Sequence, residues 1–96
     1  LYKAKINPFK KSHLISLNEN KKIVKYSKII LKKAIHFGGS SIRDFKGITG
    51  KSGNFQSEFK VYDREEKRCS RNKCSGLIRR KIISNRSTFM CTVCQK

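Results

Sequence analysis

Four cysteines constrain this chain more than anything else in it: Cys69-x4-Cys74, then 16 residues, then Cys91-x2-Cys94. Two close pairs, separated by enough chain for a hairpin, can place four sulfurs around one tetrahedral centre. A single structural Zn2+ held by four thiolates at ~2.3 Å suits that arrangement. The residues between the pairs fit two short strands, 77–83 and 88–91, joined by a turn at Ser84-Asn85-Arg86-Ser87, although Arg79-Arg80-Lys81 interrupts the alternation of the first strand. Two disulfides, with three ways to pair four cysteines, and an iron site of similar geometry are the alternatives. Nothing in the sequence suggests an oxidising compartment, and paired spacing favours a metal. Four thiolates with Zn2+ carry a local charge of −2, which the neighbours Arg68, Arg71 and Lys73 are placed to offset. A 26-residue module has little apolar material, so the metal is expected to be what folds it. His13 and His36 are unnecessary as ligands.

Charge is the second constraint. The 96 residues carry a formal net charge of +18. Residues 1–37 are net +9, residues 38–65 net +1 and residues 66–96 net +8. Two basic lobes flanking a neutral middle make a polyanion the leading partner. The longest aliphatic run, Ile29-Ile30-Leu31, is far short of the ~20 apolar residues a membrane span needs. No apolar signal core opens the chain, so a cytoplasmic location is expected, with no membrane partner.

The opening, Leu1-Tyr2-Lys3-Ala4-Lys5, reads as the end of a helix, and Asn7-Pro8 marks a turn. Ser16-Leu17-Asn18-Glu19 fits a capping box, in which hydroxyl and carboxylate each satisfy the other residue's amide. A helix over 17–36 follows. Leu17, Val24 and Leu31 repeat every seven residues, and Ile23, Ile30, Ala34 and Phe37 widen the stripe that it is expected to bury. Lys21, Lys22, Lys25, Lys28, Lys32 and Lys33 occupy much of the rest. Gly38-Gly39 ends the helix, because glycine accepts the left-handed conformation of a C-terminal cap. Residues 47–54, Gly-Ile-Thr-Gly-Lys-Ser-Gly-Asn, read as a flexible loop. Its Gly50-Lys51-Ser52 echoes a nucleotide-binding loop, but the required first glycine would fall at Phe45 and no strand precedes it, so no nucleotide cofactor is expected. Residues 55–64 read equally as a helix or as an extended lead-in.

Taken together these residues resemble the C-terminal half of the formamidopyrimidine-DNA glycosylase family. The resemblance rests on Gly38-Gly39-Ser40-Ser41-Ile42-Arg43-Asp44-Phe45, Gly50-Lys51-Ser52-Gly53-Asn54-Phe55 and Val61-Tyr62-Asp63-Arg64, together with the cysteine framework ending Arg86-Ser87-Thr88-Phe89-Met90-Cys91-Thr92-Val93-Cys94-Gln95-Lys96. The opening through Asn7-Pro8 extends it to the whole chain. It implies an α+β fold, a helix–two-turn–helix region followed by a C-terminal four-cysteine zinc-finger β-hairpin. It also implies three segments: residues 1–47 as the helical DNA-binding region, 48–65 as lesion-recognition loop and connector, and 66–96 as the zinc finger. The implied activity is excision of oxidised purines, such as 8-oxoguanine and formamidopyrimidine, followed by β,δ-elimination at the abasic site. The target base must be flipped out of the stack to be reached.

In that family the nucleophile is an N-terminal proline beside a glutamate. Neither is in this sequence, so no catalytic residue is assigned, and the chain is expected to be a monomeric portion of such an enzyme that binds damaged double-stranded DNA without cutting it. The resemblance makes Arg86 the hairpin-tip arginine that grips phosphates. A planar guanidinium projected from a turn suits that task. Tyr62 matches a position that contacts phosphate through its hydroxyl. Lys51, Ser52, Gly53 and Asn54 match the loop that closes over a flipped purine. The family often has other residues at Asn7, Ser52, Asn54 and Met90, and two residues rather than four between the first cysteines. The alternative is a basic four-cysteine zinc ribbon bound to ribosomal RNA. Such readers of exposed bases use stacking aromatics, which make up only 9% of this chain and form no platform.

Overall fold

The computed structural model describes residues 1–39 and 54–96. They form helix α1 (Leu17–His36), strands β1 (Ile78–Ile83) and β2 (Arg86–Cys91), and two short 3-10 turns, Ser12–Leu14 and Phe55–Glu58. The architecture is α+β. The chain divides into two compact units, residues 1–23 with 60–96, and residues 24–59.

The first unit opens with the end of a helical turn. The Ile6 amide donates to the Leu1 carbonyl and the Lys5 amide to the Tyr2 carbonyl. Lys5 adopts φ 58°. This 6→1 and 5→2 pattern around a left-handed residue is that of a helix C-terminal cap, as the sequence suggests. The capping box at the start of α1 also forms. The Glu19 amide donates to Ser16 Oγ at 3.1 Å and the Ser16 amide to Glu19 Oε1 at 3.1 Å. Lys10 Nζ pairs with the same carboxylate at 2.8 Å. The Lys10 hydrogen bond and then the Ser16 amide hold the Glu19 carboxyl below its ordinary value.

β1 and β2 form an antiparallel hairpin in the register Ile78↔Cys91 through Ile83↔Arg86. The turn is tighter than the four residues expected. Only Ser84 and Asn85 lie between the strands, at φ 48° and 63°. Two left-handed residues make a type I′ turn, whose twist matches that of the flanking strands. Arg86 is therefore the first residue of β2, beside the turn and not within it. Ile78 and Cys91 face each other across the ladder, fully buried, and with Cys69 they form a small core onto which Tyr2, Val61, Cys74, Phe89 and Cys94 pack. Ala4, Ile6 and Met90 are buried as well. The hairpin thus shares its unit with residues 1–6, which spacing alone gave no reason to include.

The second unit holds the rest of α1. Two hydrogen bonds close the helix: the Gly39 amide to the Ala34 carbonyl at 2.8 Å, and the Gly38 amide to the Ile35 carbonyl at 2.9 Å. Gly38 has φ 76° and Gly39 φ 80°, conformations that cost an L side chain strain. Phe37, Phe55 and Phe59 follow one another with ring centroids 6.2 and 6.0 Å apart. Lys33 Nζ reaches Glu58 Oε2 at 3.0 Å. Residues 55–58 resolve the ambiguity of that stretch as one 3-10 turn.

The burial of α1 differs from expectation. No residue in it is buried, and Leu17, Val24 and Leu31 are 71%, 54% and 64% exposed. Ile23, Ile30 and Ala34 form its half-buried edge. A heptad repeat identifies an apolar face, but a helix buries only the face against which something packs.

Candidate metal centre and nucleic-acid interface

The loop before the hairpin, the end of β2 and the turn after it bring all four cysteines together. Their sulfurs lie within 4.8 Å of one another. Cys69–Cys94 and Cys74–Cys91 are 3.7 Å apart and Cys74–Cys94 3.1 Å. Four ligands ~2.3 Å from one ion would be about 3.8 Å apart, the edge of the tetrahedron. All four cysteines are free thiols, so the two-disulfide alternative is not what this fold contains. Each pair sits on a tight turn whose amides point at sulfur: Gly76 N–H to Cys74 Sγ and Cys94 N–H to Cys91 Sγ, both at 3.4 Å. Lys73, at φ 62°, turns the chain back towards Cys74.

Gly76 is fitted to this packing. A Cβ there would lie 2.6 Å from Cys91 Sγ and 3.0 Å from Val93 Cβ. Gly76→Ala should displace a ligand sulfur and lower stability by about 1–3 kcal/mol, as overpacking does. Denaturant unfolding checks this, and a midpoint equal to that of the wild type would contradict it.

The electrostatics favour ionised sulfur at Cys69 and oppose it at Cys94. Burial works to raise the Cys69 thiol, but hydrogen bonds from the Tyr2 hydroxyl, the Arg71 amide and the Cys74 and Cys91 side chains outweigh it and bring the thiol down to about 7. Cys94 moves the other way. Burial, then its hydrogen bonds with Cys74, Cys69 and Cys91, push it up to about 12 against the opposing pull of Arg71. Burial and the Cys69 hydrogen bond raise the Tyr2 phenol, which keeps it a donor. The Arg71 guanidinium lies over the Tyr2 ring, 4.6 Å from its centroid, and donates from Nη2 to the Tyr2 carbonyl at 2.8 Å. Its Nε is buried without a hydrogen-bond partner. A buried donor left unpaired is costly. Of the three cations expected to offset the centre, Arg71 is the one shown in contact with it. The four-sulfur donor set fits a divalent cation bound by thiolates.

A further connection gave no signal in the sequence. Gln95, 1% exposed, accepts the Cys91 amide on Oε1 at 2.9 Å and donates from Nε2 to the Ile6 carbonyl at 3.0 Å. It joins a ligand residue to the N-terminal cap.

The expected nucleic-acid contacts are placed as follows. Arg86 is exposed, on the same hairpin face as Lys81 by strand alternation. Arg79 and Arg80 are paired with Glu66 and Glu65 at 2.9 and 3.5 Å. Among the described residues no carboxylate lies within 4.0 Å of the Arg86 guanidinium. Tyr62 stacks edge-on against Phe89 at 5.2 Å between centroids and is 47% exposed. Asn54 precedes the 3-10 turn, and its carbonyl accepts from Ser57 Oγ at 2.8 Å. Lys51, Ser52 and Gly53 lie outside the described residues. No helix among the described residues is long and apolar enough to cross a membrane.

A basic α+β chain built on a four-cysteine β-hairpin finger is the class that fold and site define. No family model matches it, but whole proteins and solved structures do. Formamidopyrimidine-DNA glycosylases of Caulobacter sp. strain K31, Roseobacter denitrificans and Prochlorococcus marinus strain MIT 9301 are 41%, 43% and 43% identical over 95, 96 and 96 residues. These matches cover 99–100% of this chain but only 32–34% of the relatives. The Lactococcus lactis Fpg in complex with DNA containing an abasic site superposes with a TM-score of 0.85 at 34% identity, over 97% of this chain and 33% of that one. The Fpg protein of Thermus thermophilus gives 0.84 at 28% identity, over 96% and 35%.

The chain is a homologue of formamidopyrimidine-DNA glycosylase and corresponds to its C-terminal part. It spans about a third of the length of the relatives it matches. These matches do not favour the ribosomal alternative.

Proposed function

We propose that this chain is the DNA-holding portion of a base-excision-repair glycosylase and abasic-site lyase acting on oxidised purines in the cytoplasm. What chiefly supports the reading is one comparison: nearly the whole chain superposes on a Lactococcus lactis Fpg that was solved bound to abasic-site DNA. The four cysteines hold one structural Zn2+. Bound there, zinc supplies a cross-link between the two cysteine turns and no chemistry on the substrate.

The chain's own residues then do the holding. Arg86, exposed and with no carboxylate beside it among the described residues, takes DNA phosphates with charge-assisted hydrogen bonds. Tyr62, steadied through Phe89, presents its hydroxyl to a phosphate. Lys51, Ser52, Gly53 and Asn54 belong to the loop that covers the flipped base. The division into a helical region (1–47), a loop and connector (48–65) and a finger (66–96) forms part of this proposal. The proline nucleophile of the family is not among these 96 residues, so they bind damaged duplex without cutting it; the bound form is a monomer.

A competition titration tests the reading. Duplex DNA with an abasic analogue should displace structured RNA, and with about five phosphates contacted, log K should fall against log[salt] with a slope of roughly −4 to −5. Preference for the RNA would overturn it. Arg86→Ala should weaken duplex binding by about 1–3 kcal/mol, and an unchanged affinity would remove Arg86 from the interface.

A further inference from the structure

The reading of the four cysteines as a metal centre leaves Tyr2 unexplained. Its ring is accounted for by packing, because it lies on the cysteine-rich core and beneath the Arg71 guanidinium. Packing does not call for its hydroxyl, yet that oxygen sits 3.1 Å from Cys69 Sγ, 67 positions away in the sequence. Either atom can be the donor between a phenol and a thiol. A cysteine bound to a metal has lost its proton, so in the loaded centre only the phenol can donate.

We propose that Tyr2 is a positioning residue of the metal centre: its hydroxyl donates to the Cys69 thiolate and fixes that ligand in place. The inference rests on the metal reading above. A hydrogen bond to a ligating sulfur disperses its negative charge and orients its lone pairs. Partners of this kind typically contribute 10–100-fold to metal affinity. Two further contacts hold the donor in place. Arg71 Nη2 grips the Tyr2 carbonyl, and the cap hydrogen bonds from Lys5 and Ile6 close the turn that carries it. The N-terminal turn and the metal are thereby coupled, and each stabilises the other's position.

Tyr2→Phe deletes the hydroxyl and keeps the ring, so the test is made on the full chain with that variant. Transfer of Zn2+ to a chromogenic chelator gives the release rate, and Co2+ loading gives the sulfur-to-cobalt charge-transfer band. Tyr2→Phe should release zinc roughly 10–100-fold faster and shift the cobalt band, because the charge on one sulfur has changed. Tyr26→Phe, which removes a hydroxyl from α1, should match the wild type in both. A Tyr2→Phe release rate equal to that of the wild type overturns the inference. So does faster release with an unmoved band, which would mark loosened packing and not a lost bond to sulfur. A wild-type chain that binds no cobalt in tetrahedral thiolate coordination overturns the metal reading itself, and this inference with it.

Discussion

Stripping the metal from this chain is expected to unfold the hairpin finger. Among the described residues, the buried core of the hairpin is Ile78 and Cys91, with no exposed surface, and Cys69 at 7%. Two strands of six residues cannot hold themselves together on so small a core. Without the ion, the four sulfurs lose the bonds that fix their geometry. Binding free energies of about 10–16 kcal/mol are typical of structural zinc in small fingers, more than a hairpin of this size could supply otherwise. Hydrogen exchange followed during chelation checks the result. Amide protection across residues 78–91 should vanish as the metal leaves and return when Zn2+ is restored. The capping box and the Gly38-Gly39 closure of α1 involve no cysteine, so helical circular dichroism should survive in large part. Retained protection in a chain shown by elemental analysis to be free of metal would remove the ion from the folding argument.

The second large effect is expected at Gln95. Replacing it with Leu keeps the volume and deletes both hydrogen bonds. The Cys91 amide and the Ile6 carbonyl are then left unpaired in the interior of the unit. Each buried polar group stranded in this way costs about 1–3 kcal/mol, so the variant should lose roughly 2–6 kcal/mol. Because the bond to Ile6 ties residues 1–6 to the finger, the exchange protection of the Lys5 and Ile6 amides should fall along with the unfolding midpoint. Gln95→Glu retains the acceptor for the Cys91 amide but places an oxygen against the Ile6 carbonyl, so it should recover only part of the loss. Equal stability of Gln95→Leu and wild type would show that the clamp contributes nothing.

Much of the local structure could be read directly from the residues. Ser16 and Glu19 stand three apart at the mouth of an apolar repeat, and the reciprocal hydrogen bonds form between them. Two consecutive glycines stand one residue beyond the end of α1, after Phe37, and take the left-handed conformation expected of a cap. Cysteine spacing picked out the four side chains that the fold brings together. Each of these signals acts within a few positions or, for the cysteines, through a chemistry that few residue types share. The apolar face of α1 was legible as a face, but Leu17, Val24 and Leu31 stay exposed, because burial depends on a packing partner and not on periodicity.

The sequence by itself therefore determined the helix with its two caps, the hairpin in outline and the cluster of four cysteines. Tertiary structure alone decided the rest. It contracted the hairpin turn to Ser84-Asn85 and so moved Arg86 into β2. It brought Tyr2 against Cys69 and Ile6 against Gln95, across 67 and 89 positions. A single polar contact between distant residues leaves no periodic trace in a chain, since one tyrosine or one glutamine looks the same whether it faces water or a buried sulfur. Only the packing of the first turn against the last shows which it is.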